Sequence, residues 1–199
     1  MKPRPASERL LDAAEKLMRT TGLGSATTKA IAREAGCSEA ALYKHFANKE
    51  ELFVRVLTER LPTKVGPLLN ELAEDPGDRT VLECLTELAD QAARFYADAM
   101  PMAGSLFAEP ALLARHRAGL RELGIGPHMV LEVLARYFEN ERARGRVRPD
   151  ADARAAAALL LGACFQRAFF LHFSGEETVQ PVDDFAAAVA ATTWEAVRP

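Results

Sequence analysis

Cysteine is scarce in this chain of 199 residues, with only Cys37, Cys84 and Cys164. An odd number at wide spacing argues against a disulfide framework or a zinc cluster and fits a reducing cytoplasm. No run is both apolar and long enough to be expected to cross a bilayer; the richest, Ala155 to Phe173, is interrupted by Gln166 and Arg167. The opening MKPRPASERL lacks the apolar centre of a secretion signal. Catalytic signatures are missing too: there is no G-x-S-x-G, H-E-x-x-H, phosphate loop or C-x-x-C. Gly124-Ile125-Gly126 has neither the preceding strand nor the third glycine of a dinucleotide site, and His116 and His128 stand too far apart in sequence to suggest a metal site. The expectation is a cytoplasmic protein that is not an enzyme, with no cofactor, metal or membrane partner.

What is present is globular and helical. The composition is 49% hydrophobic and 27% charged, which argues against disorder. The net charge of −3 would not suggest nucleic acid, but its distribution does. Residues 1–50 hold nine Lys/Arg against six Asp/Glu, a basic head on an acidic body. No strand, repeat or low-complexity segment is legible. Ser7 reads as the cap of a first helix that ends at Thr21-Gly22, and Asn48 with Glu51 as a capping-box start to a fourth. That fourth helix continues toward Leu72, with a kink or break expected near Pro62. Further helices are expected over about 79–99, 105–119, 127–145, 152–173 and 183–197, the fifth closing at Met100-Pro101.

The run Thr27 to Phe46, TTKAIAREAGCSEAALYKHF, carries the most information. Ile31, Ala32 and Ala35 form an apolar stripe, and Gly36 stops that helix because glycine takes the left-handed backbone without a Cβ clash. Ser38 is placed to cap the next helix, whose inward side is Ala41, Leu42 and Phe46. Two short helices about a tight turn, with small residues at the start of the second and Tyr, Lys and His at its end, make a helix-turn-helix. Tyr43 and His45 can donate to phosphate oxygens and Lys44 offers a mobile charge, contacts that position without reading sequence. Base reading is expected from Ser38, Glu39 and Ala40. Glu39 either accepts from a cytosine amino group or is simply a helix-N-terminal carboxylate favoured by the dipole. Thr28, Lys29 and Lys49 lie near helix N-termini, where phosphates bind readily.

This segment resembles the DNA-binding domain of the TetR family of bacterial transcriptional repressors. The matching residues are Thr27, Thr28, Ile31, Ala32, Ala35, Gly36, Ser38, Leu42, Tyr43, His45, Phe46, Lys49 and Leu52. Cys37 departs from the pattern, standing where the family usually has an aliphatic residue, and a thiol is a similarly small hydrophobe. The resemblance implies an all-α protein of about nine helices. In it a three-helix DNA-binding domain, residues 1–50, is joined by a linking helix to a helical bundle, residues 51–199, for ligand binding and dimerisation. It implies a repressor that binds a palindromic DNA operator as a homodimer and is released by a small effector.

The helix Ala155 to Phe173 is apolar on nearly every face and is expected to be buried all round, half of that burial supplied by a second copy. The dimer would form through the last two helices, about 152–173 and 183–197. A cavity for an apolar or aromatic molecule is expected among Phe95, Tyr96, Met100, Met102, Phe107, Met129, Phe138, Phe165 and Phe169, with His128 and Gln166 as polar anchors. Cys84 and Cys164 read as inert packing. The competing reading is a helical-bundle enzyme or small-molecule-binding protein that does not bind DNA.

Overall fold

The computed structural model describes residues 4–59, 65–74, 77–124 and 126–199. Among these the chain is all-α: ten α-helices and one 3-10 turn, with no strand. They are α1 (Ala6–Ser25), α2 (Thr28–Glu34), α3 (Glu39–Tyr43), α4 (Lys49–Glu59), α5 (Val65–Glu74), α6 (Val81–Phe107), α7 (Pro110–Leu123), α8 (Pro127–Ala143), α9 (Ala153–Ser174) and α10 (Val182–Val197). The count exceeds the expected nine because α4 and α5 are separate helices; Pro62 itself lies outside the described residues. Pro67 sits in the first turn of α5, where its missing N–H removes no intrahelical bond.

Three sequence-based helix boundaries need correction, one of them the stretch expected over about 105–119, which is instead a helix over Pro110–Leu123. α1 starts at Ala6, with Pro5 rather than Ser7 at the cap, and its regular helix ends at the expected Thr21-Gly22, where Gly22 (φ 77°, ψ 165°) is non-helical ahead of a last turn to Ser25. Only a residue without Cβ adopts that conformation cheaply, so the glycine interrupts the helix where the sequence placed its end. α6 does not close at Met100 but passes through Pro101 to Phe107. A proline there removes the amide that would bond the carbonyl four residues back, that of Ala97. His172 takes the orphaned acceptor: its Nε2 lies 2.7 Å from the Ala97 oxygen. Ser105 Oγ donates to the Pro101 carbonyl at 2.7 Å, further stitching the turn. The proline is tolerated because its lost bond is replaced from outside the helix.

The helices form two compact units, residues 1–62 with 101–125, and residues 63–100 with 126–199. The core of the first is built by Leu10, Leu11, Met18, Ile31, Leu42, Phe46, Leu52 and Phe53, joined by Met102, Leu106 and Leu112. In this unit α7 packs on α4, and Gly119 allows the approach: a Cβ there would sit 3.3 Å from Val54 Cγ1. The core of the second unit is drawn from α5, α6, α8, α9 and α10, with Leu69, Leu72, Leu85, Leu88, Phe138 and Leu160 among its buried residues.

Beneath that second core runs a buried ion network. Glu141 on α8 is fully buried, and its carboxylate accepts from Arg144 Nη1 at 2.7 Å and from Arg146 Nη2 at 2.8 Å. Arg146 Nε lies 2.5 Å from the other carboxylate oxygen, and Arg146 Nη1 donates to the Arg79 carbonyl at 3.2 Å. The network fastens the loop after α8 to the residues just before α6.

α9 is not buried all round within this chain. Ala156, Ala157, Leu160, Leu161, Cys164 and Ala168 face the core, whereas Leu159 is 69% and Phe173 78% exposed, with Phe165, Phe169 and Phe170 also in the open. It also corrects the bilayer expectation, since by length and composition α9 is apolar enough to span a membrane. Gln166 is uncharged and Arg167 alone does not break the run. That test is met equally by a helix whose open face is covered by protein, and here one face already packs on α8 and α10.

The thiols follow their surroundings. Cys84 and Cys164 are fully buried and unpaired by disulfides, while Cys37 is half-exposed. Burial pushes the Cys84 thiol up and carries that of Cys164 to about 12, so neither forms thiolate near neutral pH. A disulfide-exchange reagent added to the native protein should therefore release one thiol equivalent rapidly, from Cys37. The other two should react only after denaturant is added; rapid release of all three would show that the second core opens readily.

Candidate nucleic-acid interface

The sequence Thr27 to Phe46 folds as its capping residues dictate. Thr27 is extended and its hydroxyl accepts from the Ala30 amide at 3.2 Å, fixing the start of α2. Gly36 takes φ +64°, and the Cys37 amide donates to the Ala32 carbonyl at 2.8 Å, closing the end of α2 as a left-handed glycine cap does. One residue later Ser38 accepts from the Ala41 amide at 3.2 Å and starts α3. Leu42 and Phe46 are buried and hold α3 on the first core. The orientation of the second helix therefore rests on two caps, one glycine and two apolar anchors.

α4 begins with the expected reciprocal cap. The Glu51 amide donates to Asn48 Oδ1 at 2.8 Å, and the Glu51 carboxylate accepts from the Ala47 amide at 2.6 Å. The returning bond goes to the residue before the cap, one position earlier than in the simplest capping box.

With α3 so held, Lys29, Ser38, Glu39, Ala40, Tyr43, Lys44 and His45 are exposed, and Thr28 and Lys49 are half-buried. Tyr43 is 51% exposed despite its ring, an outward placement that packing alone does not explain. α3 spans only Glu39 to Tyr43, so Lys44 and His45 lie just past its end rather than on it. Lys49 is less free than its sequence position suggests. Its Nζ donates to the Leu23 carbonyl at 3.3 Å and sits 4.9 Å over the Phe53 ring, so part of its role is to tie α4 to the end of α1.

Two contacts had no sequence signal. Thr28 Oγ1 donates to Glu39 Oε1 at 2.5 Å, joining the first residue of α2 to the first of α3. Arg9, from α1, donates through Nη2 to Cys37 Sγ at 3.3 Å, which brings a guanidinium to the turn. Eleven and 28 residues of separation put both pairs beyond local pattern reading.

A family model described as bacterial regulatory proteins, tetR family, matches residues 10–56. Over those residues this chain is similar to the TetR family. The HTH-type transcriptional repressor BdcR of Escherichia coli is 34% identical over 104 residues, 52% of this chain and 51% of that protein. The chain thus spans about half the length of this curated relative. Among solved structures, a Mesorhizobium loti protein assigned to the TetR family superposes with a TM-score of 0.77 at 19% identity, covering 98% of this chain and 97% of that one. FadR of Bacillus subtilis, solved in complex with stearoyl-CoA, superposes with a TM-score of 0.67 at 17% identity, covering 96% and 99%. At these identities the two structures show a TetR-like fold over nearly the whole chain.

The residues expected to line an effector cavity are divided between the two units. Met102 is fully buried in the first core, and Phe107, in the same unit, is 73% exposed. Phe138 is fully buried in the second core, where it packs on Tyr137 at a ring separation of 5.8 Å. Met129 is exposed and Met100 half-buried. The structure does bring together Phe95, Tyr96 and Phe165, with ring separations of 5.3 and 5.6 Å, while Phe169 stacks on Phe173 at 5.0 Å. His128 and Gln166 are both exposed. None of these residues lines the open apolar groove of about 440 Å³ along α9 and α10, whose walls include Ala156, Leu159, Ala163, Phe185 and Val189.

Proposed function

We propose that this protein is a ligand-responsive transcriptional regulator, a repressor, that binds a palindromic operator as a homodimer. The observation that carries the reading is the head itself: a doubly capped helix-turn-helix whose buried anchors leave Tyr43, Lys44 and His45 outward beside Ser38, Glu39 and Ala40. Two such heads would place their recognition helices in successive major grooves, about 34 Å apart. Tyr43, Lys44, His45 and the open ends of α2 and α4, with Thr28, Lys29 and Lys49, would engage phosphates; Ser38, Glu39 and Ala40 would face the bases.

The partner for dimerisation is a second copy, seated on the exposed apolar face of α9 and α10. An open groove walled by Leu159, Ala163, Phe185 and Val189 leaves apolar surface that a second copy would cover in an isologous contact about a twofold axis. The effector is a small apolar or aromatic molecule, and the aromatic group Phe95, Tyr96 and Phe165 supports a place for it in the second unit. That FadR was solved with stearoyl-CoA supports an apolar ligand for this fold. The effector releases the operator only by its differential affinity for two spacings of the heads. Nothing in the reading calls for catalysis or a membrane, and its place is the cytoplasm. The domain division it uses is a DNA-binding head over residues 1–50 and a ligand-binding and dimerisation body over 51–199.

A gel-shift titration against the DNA flanking its own gene tests the proposal, with Lys44→Ala as the variant. Lys44 is exposed, so the substitution should leave folding intact. Each head loses one phosphate contact, and the plot of log K against log salt should become shallower by about 1.8 for the dimer, from roughly 0.9 per contact. An unchanged slope would remove Lys44 from the interface. Binding that is insensitive to salt and sequence would favour a small-molecule-binding bundle instead.

A further inference from the structure

We infer that Glu39 selects cytosine at one position of each operator half-site and that Thr28 is the positioning residue that aims it; the inference rests on the DNA-binding reading above. A carboxylate is an unexpected group on a surface meant for phosphates, since it repels every duplex it approaches. It is also not acting as the helix cap. Ser38 already satisfies the Ala41 amide, and the Glu39 carboxylate instead accepts from the Thr28 hydroxyl at 2.5 Å.

That bond has two consequences. A threonine hydroxyl carries a single proton, so Thr28 cannot also donate it to a phosphate; its part in phosphate binding is left to its backbone amide at the start of α2. And a bond through Oε1 removes much of the rotamer freedom of an exposed glutamate, leaving Oε2 as a fixed acceptor at the first residue of the recognition helix. A fixed acceptor that cannot donate discriminates sharply among base edges. Guanine offers O6 and N7 and thymine O4, all acceptors, and adenine sets N7 beside its amino group. Cytosine presents its N4 amino donor alone. Repulsion from phosphates then lowers binding to all sequences, and only the cytosine contact offsets it, so the pair adds discrimination more than affinity.

Selection from a random duplex library, followed by sequencing, tests this with full-length wild type, Glu39→Gln, Thr28→Val and Thr28→Ser. The wild type should enrich cytosine at one position per half-site. Glu39→Gln should exchange that cytosine for adenine, which glutamine reads through N6 and N7, and leave the other positions unchanged. Thr28→Val should flatten the cytosine preference about tenfold, within the range of one good base contact, and Thr28→Ser should restore it. Glu39 is exposed and its substitution does not threaten folding, so that variant decides even if Thr28→Val is unstable. Identical base preferences in wild type and Glu39→Gln, or a loss of affinity equal for all sequences, would overturn the inference. A change with Glu39→Gln but none with Thr28→Val would overturn the positioning role alone. A wild-type protein that enriches no sequence would instead overturn the DNA-binding reading itself.

Discussion

Leu159→Glu should yield a folded monomer that no longer binds its operator. Leu159 is 69% exposed in the single chain and stands in the apolar groove of α9 and α10, so a charge there costs the isolated subunit little. In a twofold dimer the same substitution buries two unpaired carboxylates, each costing about 3–5 kcal/mol. Dimerisation should weaken by at least about three powers of ten on that basis. Operator affinity should fall with it, because each head alone holds half the contacts. Gel filtration or ultracentrifugation should show a particle of 21.7 kDa in place of one twice that mass, with an unchanged helical circular dichroism spectrum. A dimer that survives the substitution would place the interface elsewhere.

The second large effect concerns stability. Arg146→Met should destabilise the second unit by about 3–5 kcal/mol, because it strands the fully buried Glu141 carboxylate with only Arg144 as partner. Glu141→Gln should cost less. It leaves two guanidinium groups that are 39% and 34% exposed and can rehydrate. The asymmetry is the informative part, since a pair of equal surface charges would lose the same on either side. Thermal unfolding should show a drop in Tm on the order of 10 °C for Arg146→Met, and a clearly smaller one for Glu141→Gln. Equal and small losses would mean that water reaches the carboxylate.

The head was largely legible from residues alone because its determinants are local. Gly36, Ser38 and the Asn48–Glu51 pair each act within a few positions of themselves, and the structure places each where its chemistry requires. The same locality explains the failures. Pro101 read as a helix end because the compensating partner, His172, lies 71 positions away in sequence and the carbonyl it caps belongs to Ala97. The Thr28–Glu39 and Arg9–Cys37 contacts were invisible for the same reason.

The body was legible as helices but not as a site. Aromatic and methionine residues on middle helices look alike whether they fill a core or line a cavity. Met102 and Phe138 proved to be core, Phe107 lies on the surface, and in the second unit Phe95, Tyr96 and Phe165 meet. Similarly, the all-round apolarity of α9 indicated that the helix needs covering. It did not indicate how much of the cover comes from its own chain, which buries one face and leaves Leu159, Phe165, Phe169, Phe170 and Phe173 open.

The most direct test of the regulator reading is to select bound duplexes from a random library with the full-length protein and to measure the mass of the resulting complex. The expected result is one enriched motif of two inverted half-sites about one helical turn apart, bound by two chains per duplex with an affinity that falls steeply with salt. Binding to random duplexes as tight as to any enriched sequence, or one chain per duplex with no inverted repeat, would contradict it.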